Sequence, residues 1–299
     1  MSGETSSLLA FEPAIRLAAF VVVLASMAAW EVLAPRRLLT IGRRRRWPSN
    51  LGIVALDTAV VRVLFPTTAV GAALFVEARG WGLLPMLGIS GWPLVVASIV
   101  ALDLAIYLQH VVFHAVPALW RLHRMHHADL DFDVTTGNRF HPFEIVVSMA
   151  WKLAVVTALG APAAAVVAFE VLLNATSMFN HGNVRLPDRV DRWLRSLVVT
   201  PDMHRVHHSI VPAETNSNYG FNVPWWDRLF GTYRRAPAAG HERMTIGLEL
   251  FRDPGELRLD RMLLQPFISQ RAGAADEAIE PAAAISPESR TRRSRTKAR

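Results

Sequence analysis

Residues 141–181 read "HPFEIVVSMAWKLAVVTALGAPAAAVVAFEVLLNATSMFNH", opening and closing on histidine and apolar between. The run is interrupted midway by "LGAPAA" at 159–164. Glycine and proline in the middle of an apolar run break a helix, so the pattern predicts a helical hairpin turning near Ala161. The two legs match about that turn. Lys152 and Glu170 lie nine residues either side of it, Ser148 and Asn174 thirteen, and His141 and His181 twenty. Each leg is about 30 Å long, one membrane thickness. The hairpin therefore returns His181 to the depth of His141 and sets a lysine beside a glutamate, as ionisable groups inside a bilayer require. One tilted helix with accidental symmetry is the plain alternative.

Apolar runs also fill residues 14–34, 50–76 and 83–109, while arginine crowds 36–46 and the last ten positions. That segregation lets a chain of 299 residues be 52% apolar and still carry a formal charge of +7. A spanning helix needs about 20 mostly apolar residues. The expected fold is therefore all-α, an integral membrane helical bundle of about three spans plus the hairpin. The first run reads as a retained span and not a signal peptide, because Glu4 and Glu12 precede any basic residue.

The link "PRRLLTIGRRRRWPSN" (35–50) holds six arginines, which places it in the cytoplasm by the positive-inside rule. Spans at 50–76 and about 86–109 follow, joined outside by "EARGWGLL". From Trp92 to His110 is about 27 Å of helix, so His110 emerges at the cytoplasmic boundary. His114, His123, His126 and His127 follow it there, and the hairpin delivers His181, His204, His207 and His208 to the same side. Ten of eleven histidines share one membrane face. His241, in "APAAGHERM", reads as a solvated histidine.

Clustered arginine beside spans signals topology and attraction to anionic lipid, not nucleic acid, since no basic stripe interleaves with aromatics on a soluble domain. The chain has no cysteine, which excludes disulfides, thiolate-ligated haem and iron–sulfur clusters. With no G-x-G-x-x-G or P-loop motif either, any nucleotide or redox partner comes from elsewhere. The tail 269–299 lacks aromatics and mixes charges, so it is expected to be disordered.

The chemistry lies in the histidines. "HRMHH" (123–127) and "HRVHH" (204–208) repeat one spacing about eighty residues apart. Random placement would produce one such triplet about 0.015 times in a chain like this. Neutral imidazole is a common ligand for first-row metals, and i,i+3 and i,i+4 spacings put rings side by side on a helix. With "HVVFH" (110–114) and the two single residues His141 and His181, ten histidines are too many for one ion and suit five nitrogens to each of two. Three polar stripes of helical spacing converge with them: Asp103, Tyr107, His110 and His114; His141, Glu144, Ser148 and Lys152; Glu170, Asn174, Ser177 and His181. Stripes that merely hold spans together are the plainer account. Glu144, Asp103, Asn180, Asp202 and Asn218 are candidates to accept ring N–H groups and fix imidazole orientation. Trp225, Trp226 and Phe230 lie near the membrane surface, either lining a lipid path or anchoring at the interface.

"HVVFH", "HRMHH", "RFHPFE", "NHGN" and "TPDMHRVHHS", then "TNSNYGFNVPWWDRLFGTY", resemble the fatty acid hydroxylase / sterol desaturase superfamily of integral-membrane, non-haem di-iron oxygenases. The resemblance covers roughly residues 90–235, and Thr200 to Tyr233 is also similar to the alkylglycerol monooxygenases of that superfamily. It implies a cytoplasmic di-metal cap within a catalytic domain at 86–250, after N-terminal spans at 1–85 and before an extension at 251–299. It implies two iron ions on His110, His114, His123, His126, His127, His141, His181, His204, His207 and His208, with zinc able to replace iron in purified samples. The implied reaction is O2-dependent hydroxylation, desaturation or methyl oxidation of a membrane lipid (sterol, fatty acyl or related). An external electron donor, a ferredoxin or a cytochrome with its reductase, would supply electrons. Two rival classes are a zinc-dependent membrane hydrolase, which lacks H-E-x-x-H here, and a non-catalytic metal-handling membrane protein, which would place histidines on both faces. The expected location is an integral membrane one, the inner membrane in a bacterium.

Overall fold

Helices account for nearly all regular structure in the computed structural model, which describes residues 11–65 and 67–269. The first ten residues, with Glu4, and the tail expected to be disordered beyond 269 lie outside the described residues. Five stretches among those described are long and apolar enough to cross a membrane: Glu12–Leu33, Arg43–Glu77, Gly91–Ala115, Pro142–Leu159 and Ala163–Asn180. In chain order we label α1 Glu12–Leu33, α2 Arg43–Leu64, α3 Ala69–Glu77, α4 Leu83–Met86, α5 Gly91–Ala115 and α6 Pro117–His127. Then come α7 Pro142–Leu159, α8 Ala163–Asn180, α9 Asp188–Leu194, α10 Pro201–His207, α11 Pro212–Thr215, α12 Trp225–Leu229 and α13 Leu259–Leu264. The protein is an integral membrane helical bundle.

The hairpin forms as the sequence implies. α7 ends on Gly160, whose φ of +69° is the left-handed cap that glycine adopts without strain. A Cβ there would also lie 2.3 Å from the Trp81 carbonyl oxygen, so the turn needs glycine for room as well. Pro162 then caps α8. Between the legs, Lys152 Nζ donates to Glu170 Oε1 at 2.7 Å. Small residues let the helices approach closely: Ala69, Ala73, Ala161 and Ala163 pack with Leu102, Val156, Val166 and Phe169 into the membrane core.

Two expectations shift. The second span begins at Arg43 and not near residue 50, so Arg43 to Trp47 are helical. Arg46 does not serve lipid or topology alone, because its side chain has no exposure and pairs with Asp129 and Asp133. The third span starts at Gly91 and carries His110 and His114 on one helix.

The bundle has two distinct ends. At one, the arginine-rich link meets the histidine-bearing chain: the Arg36 N–H donates to the Asn183 carbonyl at 3.0 Å, and Arg36 Nε pairs with Asp202 at 3.1 Å. At the other, Trp81–Gly82 closes on the hairpin turn at Gly160. The described residues up to Pro266 form one compact unit, and Phe267 begins a second, of which 267–269 are described.

Candidate metal centre

Local sequence delivers histidines to one end of the bundle from four helices. α5 ends with His110 and His114, and Pro117 restarts the chain as α6, which bears His123, His126 and His127. Thr200 caps α10 by accepting from the Met203 N–H, with Pro201 in the first turn, and presents His204, His207 and His208. His181 is the C-cap of α8.

Nine of these rings form two groups. His110, His114, His123, His127 and His207 have ligand nitrogens within 4.8 Å of one another, and so do His126, His181, His204 and His208. Each H-x-x-H-H repeat is divided. "HRMHH" gives its i,i+4 pair, His123 and His127, to the five-membered group and His126 to the other. "HRVHH" gives His204 and His208 to the four-membered group and His207 to the first. Adjacent helical residues point about 100° apart, whereas i,i+4 residues share a face, so one short helix can serve two centres.

Hydrogen bonds decide which nitrogen faces inward. Nδ1–H of His110 donates to the Tyr219 carbonyl at 2.7 Å, of His207 to Ser217 at 2.7 Å, of His181 to Ser177 at 2.7 Å and of His126 to Arg139 at 3.2 Å. A carbonyl oxygen only accepts, so each Nδ1 holds the hydrogen and each neutral Nε2 keeps a lone pair. His123 Nδ1 does the same with Glu144 Oε1 at 2.6 Å, and His114 Nδ1 with Asn216 Oδ1 at 3.1 Å. Yet His110 Nε2 lies 3.1 Å from His123 Nε2, and His181 Nε2 lies 3.2 Å from His126 Nε2. Lone pairs facing each other at that distance repel unless a cation sits among them.

A proton is a poor candidate for that cation. Burial pushes His123 and His181 down to about 3 and holds His126, His127, His204, His207 and His208 well below the usual imidazole range. Each group is therefore a cage of neutral nitrogen donors, which suits iron or zinc.

His141 stands in neither group, against the ten-ligand expectation. It caps α7, its Nδ1 accepting from the Phe143 N–H at 3.1 Å, and its Nε2 lies 3.3 Å from the Leu263 carbonyl oxygen. Both ring nitrogens are thus directed to the helix start and α13. His241 is not solvated either. It is largely buried, 3.7 Å from Asp202, and burial pushes it down to about 4.

Among the five side chains expected to orient rings, Glu144 touches one. The others hold backbone and loops. Asp103 accepts from Trp226 Nε1 at 2.7 Å, and Asp202 pairs with Arg36 and Arg205. Asn180 donates to the Phe221 carbonyl, and Asn218 ties Met203 to Arg234. Sequence reasoning missed Tyr219, Ser217 and Arg139, which act through main-chain carbonyls and leave no residue-type signal; Ser177 stood in a polar stripe, and it is its carbonyl that holds His181. Asn216, in "TNSNYG", was findable as an amide beside the repeat. Trp225 is half exposed and donates to the Ser196 carbonyl. Phe230, also half exposed, stacks on Tyr107 at 5.5 Å; Tyr107 meets Tyr219, whose ring lies 5.1–5.5 Å from His114, His110 and His207.

Residues 95–232 match the family described as fatty acid hydroxylase. The chain is 33% identical over 149 residues to an ornithine lipid hydroxylase, OlsE, of Rhizobium tropici, covering 49% of this chain and 44% of the relative. It is 29% identical over 136 residues to an alkylglycerol monooxygenase of Xenopus tropicalis, covering 46% and 29%. With a cholesterol 25-hydroxylase of Rattus norvegicus the identity is 24% over 165 residues, covering 54% and 53%. The chain thus spans about half or less of the length of these relatives. No solved structure matches it.

Proposed function

We propose, from the premise that this chain belongs to the fatty acid hydroxylase family, that it is an O2-dependent di-iron oxidoreductase that oxidises a C–H bond of a membrane lipid. The observation that carries this reading is the pair of neutral histidine cages, each with Nε2 lone pairs converging at 3.1–3.3 Å, at one end of a membrane bundle. Two irons held there would supply the binding and reduction of O2 and the removal of hydrogen from an unactivated carbon. The protein's own residues hold and orient. Main-chain carbonyls and Glu144 keep the hydrogen on Nδ1 and leave Nε2 free to bind metal. Burial excludes bulk water from both cages.

Hydroxylation is the favoured outcome over desaturation or methyl oxidation, because the relatives named above are two hydroxylases and a monooxygenase. A lipid reaches the centre from the side, past Trp225, Trp226 and Phe230. α12 touches α5 where Trp226 bonds to Asp103, and the half-exposed Phe230 just after α12 leads through Tyr107 and Tyr219 to the five-histidine group. An external donor supplies electrons, and the site faces the cytoplasm with the arginine-rich link.

The test is anaerobic purification with metal analysis, followed by exposure to 18O2 with a reductant and membrane lipid extract. Two irons per chain and one 18O atom in a product lipid are expected. A zinc-only protein that cleaves an ester or amide, with no 18O2 label incorporated, would favour the hydrolase reading.

A further inference from the structure

Arg46 lies in an arginine run outside the family-matched residues, yet its side chain is wholly buried. Its guanidinium is engaged on every edge. Nε and Nη2 hold Asp129 at 2.7 and 2.6 Å, Nη1 holds Asp133 at 2.5 Å, and Nη2 also donates to Thr136 Oγ1 at 3.0 Å. Arg46 is thus a buried cation inside the loop "DLDFDVTTGNR" (129–139), beside the loop's own buried Arg139, which bonds to Asn50 and not to the aspartates. Neighbours from the first two helices add to the grip. Trp47 Nε1 donates to Asp133 at 3.1 Å and Asn50 Nδ2 to Thr135 at 3.0 Å, while Glu31 accepts the Val134 N–H at 2.7 Å.

The far side of that loop touches three of the four histidines in the smaller group. The Arg139 carbonyl accepts from His126 Nδ1. The Gly137 carbonyl accepts from Ser177 Oγ at 2.9 Å, and the Ser177 carbonyl in turn holds His181 Nδ1. Gly137 also presses on the His181 ring so closely that a Cβ would lie 3.0 Å from Nδ1. Phe132, fully buried, stacks on His181 at 5.4 Å and meets His208 edge-on at 5.1 Å.

We infer that Arg46 is a positioning residue for the four-histidine ion: by holding the 129–139 loop it sets the rings of His126, His181 and His208, so the first two helices belong functionally to the metal centre. A flexible lysine keeps the charge but not the planar fork that bridges Asp129, Asp133 and Thr136. The inference rests on the two-metal reading, and its test separates the two.

The experiment loads full-length, detergent-purified protein anaerobically with Fe(II) and reads iron per chain and release to a chelator. Wild type is expected to hold two ions. R46K should weaken one ion by about 10–100-fold, the range for loss of a group that orients a ligand, and leave the other at its wild-type release rate. R46Q should hold one. Combining R46Q with H204A, which removes a ligand of the same group, should lower iron no further. Combining it with H207A, which disables the other group, should take iron towards zero. If R46Q does not fold, the same comparisons are made in R46K, which keeps the buried charge. Two tightly held ions in R46K and R46Q, or equal weakening of both, overturns the assignment. A wild type that takes up fewer than two ions overturns the two-metal reading itself.

Discussion

Lys152 Nζ and Glu170 Oε1 lie 2.7 Å apart across the hairpin, and Arg16 of α1 reaches the other Glu170 oxygen at 2.8 Å. Glu170 is therefore a shared anion for two cations, and the two members of the sequence-read pair are not equivalent. Glu170→Leu strands the largely buried Lys152 and takes one of two carboxylates from the part-exposed Arg16, and should cost about 3–5 kcal/mol, read as lost folded yield and a lower Tm in detergent. Lys152→Met leaves Glu170 paired with Arg16 and should cost well under half of that. The double variant should recover most of the Glu170→Leu loss, because Arg16 retains Glu12 at 2.8 Å. Strict additivity of the two single effects would show that the residues do not act as partners.

Ligand substitutions should sort by group. His141→Ala is expected to keep two metal ions per chain, since its nitrogens face the helix start and Leu263. His181→Ala should keep one. Metal analysis of both proteins at matched purity checks this, and loss of an ion in His141→Ala would return that residue to the ligand set.

Acid should weaken the metal-free protein. Burial lowers His181 and His123 to about 3, below an ordinary histidine near 6.5. The unfolded chain then binds more protons than the folded one between those values. Their contribution is complete above pH 6.5 and is lost as pH falls toward 3, by about 1.4 kcal/mol per pH unit for each histidine. Tm of the metal-free protein measured from pH 7.5 to 5 should fall steadily below 6.5, and a flat profile would contradict the buried, neutral cages.

Sidedness follows from the two ends of the bundle. Reporter fusions after Gly42 and after Tyr233 should both report the cytoplasm, because the link and the histidine end are joined through Arg36, Asn183 and Asp202. A fusion after Arg79 should report the opposite side. Opposite signals from Gly42 and Tyr233 would break the arrangement.

Phe230→Ala should leave metal content unchanged and raise KM for the lipid by about 2–10-fold, the worth of the lost aromatic stacking on Tyr107. Unchanged steady-state kinetics would place the lipid path elsewhere.

The spans, the hairpin and the histidine repeats were legible because each rests on local periodicity. Apolar length, a glycine–proline break and i,i+3/i+4 spacing are properties of neighbours in the chain. So was the Lys152–Glu170 pair, since a hairpin about a known turn fixes which depths meet. What the chain pattern left open was facing. Spacing shows that His126 and His127 are adjacent but not that helical rotation turns them to different cages. It sets His141 and His181 at equal distance from the turn, yet only the C-cap of α8 aims its ring inward, while the N-cap of α7 uses its ring on its own backbone. Arg46 read as one basic residue among six in a loop until the fold closed Asp129, Asp133 and Thr136 around it. The carbonyls of Tyr219, Ser217, Ser177 and Arg139 are invisible to any sequence reading, because every residue has a carbonyl and only tertiary packing decides where it points.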